Sequence, residues 1–272
     1  IIHRILTRKS FLERKAAGTK HERQTVAANI DTVFICMSLN NDFNLRRIER
    51  YLSIVWDGMA TPVIVLTKSD LCDDIDAKLI ELESVALGVD VVVTSSLSDD
   101  GYTGIRKYLH KGRTIAFVGS SGVGKSTLIN RLIGKEALFT KAVREDDDKG
   151  RHATTHRQLL ILPDGGVVLD TPGMREIQIA GADLSRSFSD IEELAEKCYF
   201  RNCKHESEPK CAVKQAIIDG SLSMKRFENY KRLQQEMAYA ERKGIMTAAQ
   251  LERQKTIDMM GSLDAQKRLK NR

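Results

Sequence analysis

The sequence predicts an α/β fold: a mostly parallel sheet with helices on both faces, followed by an all-helical C-terminal part. Three observations carry this reading. Apolar runs of strand length alternate with helical periodicity from Asn29 to about residue 170. These runs are nearly continuous in Val, Ile and Leu, the pattern of strands buried on both faces. One of them, RTIAFVG (113–119), passes straight into GSSGVGKS and then an apolar helix, a strand–loop–helix unit typical of parallel sheets.

In chain order, IIHRIL (1–6) reads as one short strand within a basic segment, 1–28, that is too short to be a domain. VFICMSL (33–39) is a buried strand, and LRRIERYLSIVW (45–56) has helical spacing. PVIVLT (62–67) is a second strand, with a helical stretch over 75–87, and VDVVVT (89–94) a third, with GIRKYLHK (104–111) helical. After the fourth strand and its helix, KAVREDDDKGRHATTH (141–156) is polar and aperiodic and reads as a mobile loop. HRQLLIL (156–162) and GGVVLD (165–170) read as a two-stranded pair around Pro163-Asp164-Gly165. Strand signals then stop, which divides the chain into 1–28, 29–180 and 181–272.

Composition narrows the class. With 42% hydrophobic and 29% charged residues, the 272-residue chain is neither disordered nor membrane-embedded. No apolar run reaches the ~18–20 residues of a spanning helix, and no signal peptide opens the chain. A cytoplasmic, monomeric protein without membrane contact is expected, and Ile1 in place of Met is what a fragment or a processed chain would show. The net charge of +6 is divided unevenly. Residues 1–24 hold seven Lys/Arg against two Asp/Glu, and 221–272 hold twelve against six, leaving the middle net −5. A polyanionic partner would therefore meet the ends, unless these are only solvated helix surfaces.

Gly119-Ser120-Ser121-Gly122-Val123-Gly124-Lys125-Ser126, with Thr127 next, fits the phosphate-binding loop G-x-x-x-x-G-K-[ST]. Its glycines let backbone N–H groups turn toward phosphate oxygens at a helix N-terminus. Lys125 then supplies a cation for the outer phosphates, and Ser126 a hydroxyl for Mg²⁺. Asp170-Thr171-Pro172-Gly173 closes an apolar strand. There a carboxylate can steady Mg²⁺ through water, and the Gly173 N–H can sense a γ-phosphate; taken alone, the tetrapeptide is also a common turn. Thr67-Lys68-Ser69-Asp70 ends another strand. Asp70 can accept two hydrogen bonds from the ring N–H and amine of guanine, an arrangement adenine lacks, while the Lys68 stem covers the base. Thr94-Ser95-Ser96, also just after a strand, can offer N–H groups to the guanine oxygen.

Five cysteines make an odd set for a closed disulfide framework. Cys198-x4-Cys203-x-His205-x5-Cys211 instead presents three thiolates and one imidazole, a closed tetrahedral zinc set. Four protein ligands leave no open position, so its expected role is structural.

The order of the motifs is unusual, since TKSD and TSS precede the P-loop. Here the chain resembles the circularly permuted GTPases, specifically the small ribosomal subunit biogenesis GTPase family RsgA (YjeQ). RILTRKSFLERKAAG (4–18), QTVAANID (24–31), DFNLRRIERYL (42–52), KGRHATTH (149–156), DTPGMRE (170–176) and FRNCKHESEPKCAV (200–213) carry the resemblance together with the P-loop. It implies a GTP hydrolase that needs Mg²⁺, holds one structural zinc, and works on the small ribosomal subunit. It also implies that the zinc element and the basic helices behind it contact ribosomal RNA. The segment 1–28 would be the last strand and exit of an N-terminal OB-fold. The permutation would join the old termini through the helix at 102–111 and release the C-terminus directly from switch II (170–176), wiring the C-terminal part to the γ-phosphate sensor.

Several positions depart from the family pattern. Thr67 stands where guanine-reading motifs have Asn, which is expected to alter an orienting hydrogen bond. Ala153 replaces the first threonine of the switch-I motif, leaving Thr154 or Thr155 as the Mg²⁺ ligand, with Thr155 favoured. Met174 follows DTPG, where Ras-like enzymes place a water-orienting Gln; a thioether cannot orient water, so hydrolysis by the chain alone should be slow. His152 and His156 are alternatives for that task or plain loop residues. Gly122 occupies the position that is Asn in potassium-activated GTPases. The rival readings are a P-loop ATPase or kinase, against which Asp70 argues, and an RNA-binding scaffold whose nucleotide serves only the fold.

Overall fold

The computed structural model describes residues 3–5, 7–15, 23–40, 42–98, 101–134, 158–163, 165–170 and 183–245. The chain begins differently from the sequence expectation. Residues 3–5 are not in a strand, and the first strands are β1 (Phe11–Lys15) and β2 (Arg23–Ala28), an antiparallel pair with a register shift between Leu12 and Glu13. Of IIHRIL, residues 3–5 pair with no strand among the described residues, and residues 1, 2 and 6 lie outside them. FLERK instead pairs with RQTVAA, and Leu12 and Ala27 are buried in the main core. The pair is anchored at Gly58, whose carbonyl accepts from the Phe11 N–H at 2.9 Å. A Cβ at Gly58 would stand 2.0 Å from the Phe11 carbonyl oxygen.

Six strands form the central sheet: β3 (Thr32–Ser38), β4 (Thr61–Thr67), β5 (Asp90–Val93), β6 (Thr114–Val118), β7 (Gln158–Ile161) and β8 (Val167–Asp170). Their order is β5-β4-β3-β6-β8-β7, parallel throughout except for β7, which runs antiparallel to β8 as the Pro163–Gly165 turn requires. β3 is buried along its whole length, so its side chains feed two cores. Val33, Ile35 and Met37 face one apolar cluster, while Phe34 and Cys36 face the other, the two-residue period of a strand covered on both sides.

Helices α1 (Leu45–Asp57) and α2 (Ile75–Glu83) cover the first face. The short α3 (Thr103–Arg106) and α4 (Lys125–Ile133) cover the second. α3 is shorter than the sequence expectation of 104–111. Tyr108 and Leu109 donate to carbonyls three residues back, Ile105 and Arg106, so the helix tightens into turns and ends before Gly112 at φ +83°. Beyond residue 183 the described chain is helical, with α5 (Ser189–Glu196), α6 (Ala212–Ile218) and α7 (Met224–Ile245). No helix among the described residues is long and apolar enough to cross a membrane.

The C-terminal helices share the core on the α1 face, where Phe188, Ile191, Val213, Phe227, Tyr230 and Leu233 are buried beside Ile48 and Leu52. Charge fixes how they sit there. Glu49 lies on the buried stripe of α1 and meets Arg226 of α7 at 2.5 Å, with the two side chains only 2% and 6% exposed. Arg226 also grips Asp190 of α5 at 2.7 and 2.8 Å and donates to the Ser187 carbonyl at 2.8 Å. Asn229 donates to the second oxygen of Glu49. Next to Glu49 on α1, and on the more open side, Arg50 forms a bidentate pair with Glu236 at 2.6 and 2.8 Å. Burial pushes the Glu49 carboxyl up, against the pull of Arg226 and the Asn229 hydrogen bond, so this cluster is costly to assemble and more costly to break. Glu49→Ala would leave the buried Arg226 with only Asp190 and the Ser187 carbonyl, and would strip Asn229 of its acceptor. A stability loss of about 3–5 kcal/mol is expected, measurable by urea denaturation at neutral pH; a loss below about 1 kcal/mol would mean that water or Asp190 alone satisfies the guanidinium.

Candidate functional site

β3 and β6 lie side by side at the centre of the sheet, and the chain departs from them in opposite directions, through β4 and β5 on one side and β8 and β7 on the other. Such a switch point opens a crevice at the carboxyl ends of the strands, where open α/β sheets bind ligands. The loop after β6 enters this crevice. Gly119 leaves the strand at φ +140°, and a Cβ there would stand 2.3 Å from the Cys36 carbonyl oxygen of β3, so only glycine lets the loop cross the neighbouring strand. Gly122 and Gly124 are also at positive φ, at +74° and +94°, and α4 starts directly afterwards at Lys125. Between them Val123 is fully buried and pins the loop to the second core. This backbone pattern at a helix N-terminus is one that gathers N–H groups around an anion.

Lys125 folds its ammonium back over the loop, donating to the carbonyls of Gly119 at 2.7 Å and Ser120 at 2.5 Å. Ser126 and Thr127 are half-buried on the first turn of α4. Asp170 is the last residue of β8, which runs parallel to β6, so it ends on the same edge of the sheet as the P-loop. Gly173, Thr154, Thr155, Met174, Ala153, His152 and His156 lie outside the described residues.

The base-side residues assemble at the ends of β4 and β5. Lys68 takes a left-handed conformation (φ +56°), which turns the chain into a short 3₁₀ segment, Ser69–Leu71. The Ser69 N–H donates to the Thr94 carbonyl at 3.2 Å, joining the two loops. Ser95 donates its hydroxyl to Asp70 Oδ1 at 2.5 Å, which orients the carboxylate, and Ser96 comes next in an exposed position. Thr67 is buried, and its hydroxyl donates to the Val123 carbonyl of the P-loop at 2.6 Å. The residue in place of Asn thus keeps a direct tie between the base-side loop and the phosphate loop, a role its spacing in the sequence did not reveal. Sequence reading also missed Arg47 of α1, which hydrogen-bonds the Ser120 hydroxyl at 2.5 Å across 73 residues of chain. A charged residue in the first turn of an amphipathic helix is too ordinary a signal to mark it.

The cysteine and histidine set comes together in the C-terminal part. The ligand atoms of Cys198, Cys203, His205 and Cys211 all lie within 4.8 Å of one another. Cys198 Sγ and Cys211 Sγ are 3.8 Å apart, and His205 Nδ1 stands 3.6 and 3.3 Å from those two sulfurs. A tetrahedron with Zn–S of about 2.3 Å and Zn–N of about 2.0 Å has edges of about 3.8 and 3.5 Å. The Cys198, Cys211 and His205 edges match a zinc tetrahedron, and Cys203, within 4.8 Å of the other ligand atoms, supplies the fourth ligand. Local backbone supports the set, since His205 and Lys210 both adopt positive φ, at +60° and +55°, and Cys211 caps α6 by accepting from the Lys214 N–H. Burial and the nearby Lys231 ammonium hold the His205 imidazole below its usual range, in the neutral form a metal needs. Cys36 and Cys72 stand apart. Burial pushes the Cys36 thiol up to about 12, which keeps it an inert packing residue under the P-loop.

Comparison with known proteins agrees with this arrangement. The family model for RsgA GTPase matches residues 5–180. A model for ABC transporter also matches, over residues 102–259; that stretch holds the strand–P-loop–helix unit common to many nucleotide-binding proteins, and β3, β4 and β5 lie outside it. Among curated relatives, Small ribosomal subunit biogenesis GTPase RsgA 2 of Lactiplantibacillus plantarum is 51% identical over 271 residues, covering 100% of this chain and 76% of its own length. Small ribosomal subunit biogenesis GTPase RsgA 1 of Listeria innocua is 46% identical, covering 95% and 75% respectively. The crystal structure of YjeQ from Thermotoga maritima superposes with a TM-score of 0.63 at 29% identity, over 87% of this chain and 78% of that one. The circularly permuted GTPase YloQ gives 0.57 at 32%, over 78% and 69%. With base-side strands β4 and β5 before the P-loop strand β6, and identity near one half along its whole length, this chain belongs to the RsgA GTPase family.

Proposed function

We propose that the chain binds and hydrolyses GTP as a switch in late assembly of the small ribosomal subunit. The observation that carries this is the meeting at one crevice of Asp70, oriented by Ser95, and of the Gly119–Thr127 loop, joined by the Thr67–Val123 hydrogen bond. In this reading Asp70 accepts from the guanine ring, Lys68 covers it, and Ser69, Ser95 and Ser96 border it. Gly119, Ser120, Ser121, Gly122, Val123 and Gly124 wrap the phosphates with their backbone, and Lys125 moves from the loop carbonyls onto the outer phosphate oxygens. The hydroxyl of Ser126, a neighbouring Thr127 and the carboxylate of Asp170 form the hard oxygen set that suits Mg²⁺, which when bound neutralises charge on the β- and γ-phosphates. Thr155 and Gly173 complete the two switches.

Three segments divide the work: 1–28 as the end of an OB-fold, 29–180 as the permuted GTPase, and 181–272 as the zinc and helical part that meets ribosomal RNA. The zinc, held by Cys198, Cys203, His205 and Cys211, staples a stretch too small for its own core. The protein acts as a cytoplasmic monomer, and its partner is the small subunit. Met174 cannot orient water, so completion of the site falls to the bound subunit. Besides the chain connection through switch II, α1 meets both the P-loop and α7 and offers a second route to the C-terminal part.

Asp70→Asn should weaken GTP binding by roughly a hundredfold, as two charge-assisted bonds worth about 3 kcal/mol together are lost. The same variant should gain affinity for xanthosine triphosphate, whose carbonyl suits the amide. Equilibrium titration with fluorescent nucleotides checks both, and unchanged GTP binding would remove Asp70 from the site.

Purified protein should carry about one equivalent of zinc by elemental analysis, and Cys203→Ser should lose it while nucleotide binding stays. Freshly prepared protein without zinc would sink the four-ligand assignment.

GTP turnover should rise by about 10²-fold or more when purified small subunits are added. Binding of GTP without turnover, even with subunits present, would favour the scaffold reading instead.

A further inference from the structure

We propose that Arg47 is a binding residue for the terminal phosphate of GTP, a cation brought to the P-loop in cis by α1. The inference rests on the GTPase reading of the crevice and adds a residue to it. Ser120 is the point of contact. Its carbonyl accepts from Lys125 and its hydroxyl from Arg47, each at 2.5 Å. The ammonium that serves the outer phosphates and the guanidinium of a separate helix therefore converge on one residue of the phosphate loop. Two cations gathered this closely repel, and a polyphosphate lying between them relieves that repulsion. Asp42 Oδ1 accepts from the same Nη1 of Arg47 at 2.7 Å, which steers the guanidinium toward the loop.

Arg47 is also built to reach this place repeatedly. Its backbone N–H is received by the side chain of the N-cap Asn44 at 3.1 Å, which fixes the first turn of α1. Further along the same helix, Glu49 and Arg50 are locked to α7. Its side chain is about a third exposed, 31%, so solvent and small solutes reach it beside the P-loop. The second oxygen of Asp42 is buried with no hydrogen-bond partner among the described residues, so the Asp42–Arg47 pair has an acceptor to spare and can hold the arginine in more than one pose. A planar guanidinium with several donors suits phosphate oxygens better than a single ammonium. It would also supply charge stabilisation in a site whose sequence places Met174 where Ras-like enzymes carry Gln. Arg46, one residue earlier, points elsewhere, to Glu228 at 3.9 Å, and serves as an internal control of equal charge.

The test measures affinity for GDP and for a non-hydrolysable GTP analogue, together with single-turnover GTP hydrolysis, on the full zinc-loaded chain. Arg47→Ala is expected to weaken the GTP analogue by about tenfold while GDP stays within about twofold, and to slow turnover by about 10²-fold. Arg47→Lys should recover part of the analogue affinity, and Arg46→Ala should leave the GTP-to-GDP ratio where it was. Circular dichroism confirms that each variant is folded. Equal losses for both nucleotides in Arg47→Ala would make the residue a strut between α1 and the loop and overturn the proposal, as would no loss for either. Wild-type protein that binds neither guanine nucleotide would overturn the reading of the crevice itself and this assignment with it; wild-type binding of both, with an unaltered Arg47→Ala, removes Arg47 alone.

Discussion

The parallel pairing of β3 with β6, Thr32 to Ile35 against Ile115 to Val118, is the contact on which the rest of the structure depends. It joins parts of the chain some eighty residues apart and places the point from which, among the described strands, the sheet grows outward in both directions. The crevice, the crossing of Gly119 over the Cys36 carbonyl, and the division of β3 side chains between two cores all stem from it. Permuting the chain leaves this pairing intact, because strand neighbours are set by packing and not by chain order. That is why base-side loops which come first in the sequence still reach the P-loop.

The second organising feature is α1. It packs between the sheet and the C-terminal helices, and within a single turn its polar residues face different neighbours. Arg47 meets the P-loop, Glu49 meets Arg226 and Asn229, and Arg50 meets Glu236. A helix is stiff over this length, so the phosphate loop and the zinc-bearing part share one rigid element. Burial of Glu49 and Arg226 costs desolvation that apolar residues would not incur. What the pair supplies is register: an apolar contact alone tolerates sliding, whereas a carboxylate held by a guanidinium and an amide does not.

The zinc set plays a comparable part at the far end. Among the described residues, the stretch from Cys198 to Cys211 contains no regular element, and two of its residues take left-handed backbone conformations outside glycine. Such a loop has little core of its own to hold it. Metal ligation supplies the constraint that packing supplies elsewhere, and the same loop carries the exposed Tyr199 and Phe200, the former with Lys210 over its ring.

The sequence by itself determined whatever depends on local pattern. Continuous Val, Ile and Leu runs declare the parallel strands, glycines at fixed offsets declare the P-loop, and three cysteines with one histidine declare the metal set. These signals survive because each is enforced within a few residues, by strand period, by positive φ or by ligand spacing. Only the tertiary structure decided which partner each polar side chain takes. Thr67 departs from the family pattern, yet its hydroxyl meets Val123, and nothing in the sequence pairs Glu49 with Arg226, 177 residues away. The β1–β2 pair and the shortening of α3 were likewise hidden, since a strand needs a partner and a helix end answers to the turns beyond it. Periodicity carries no record of contacts made across the fold, and the chemistry at this crevice is assembled from those contacts.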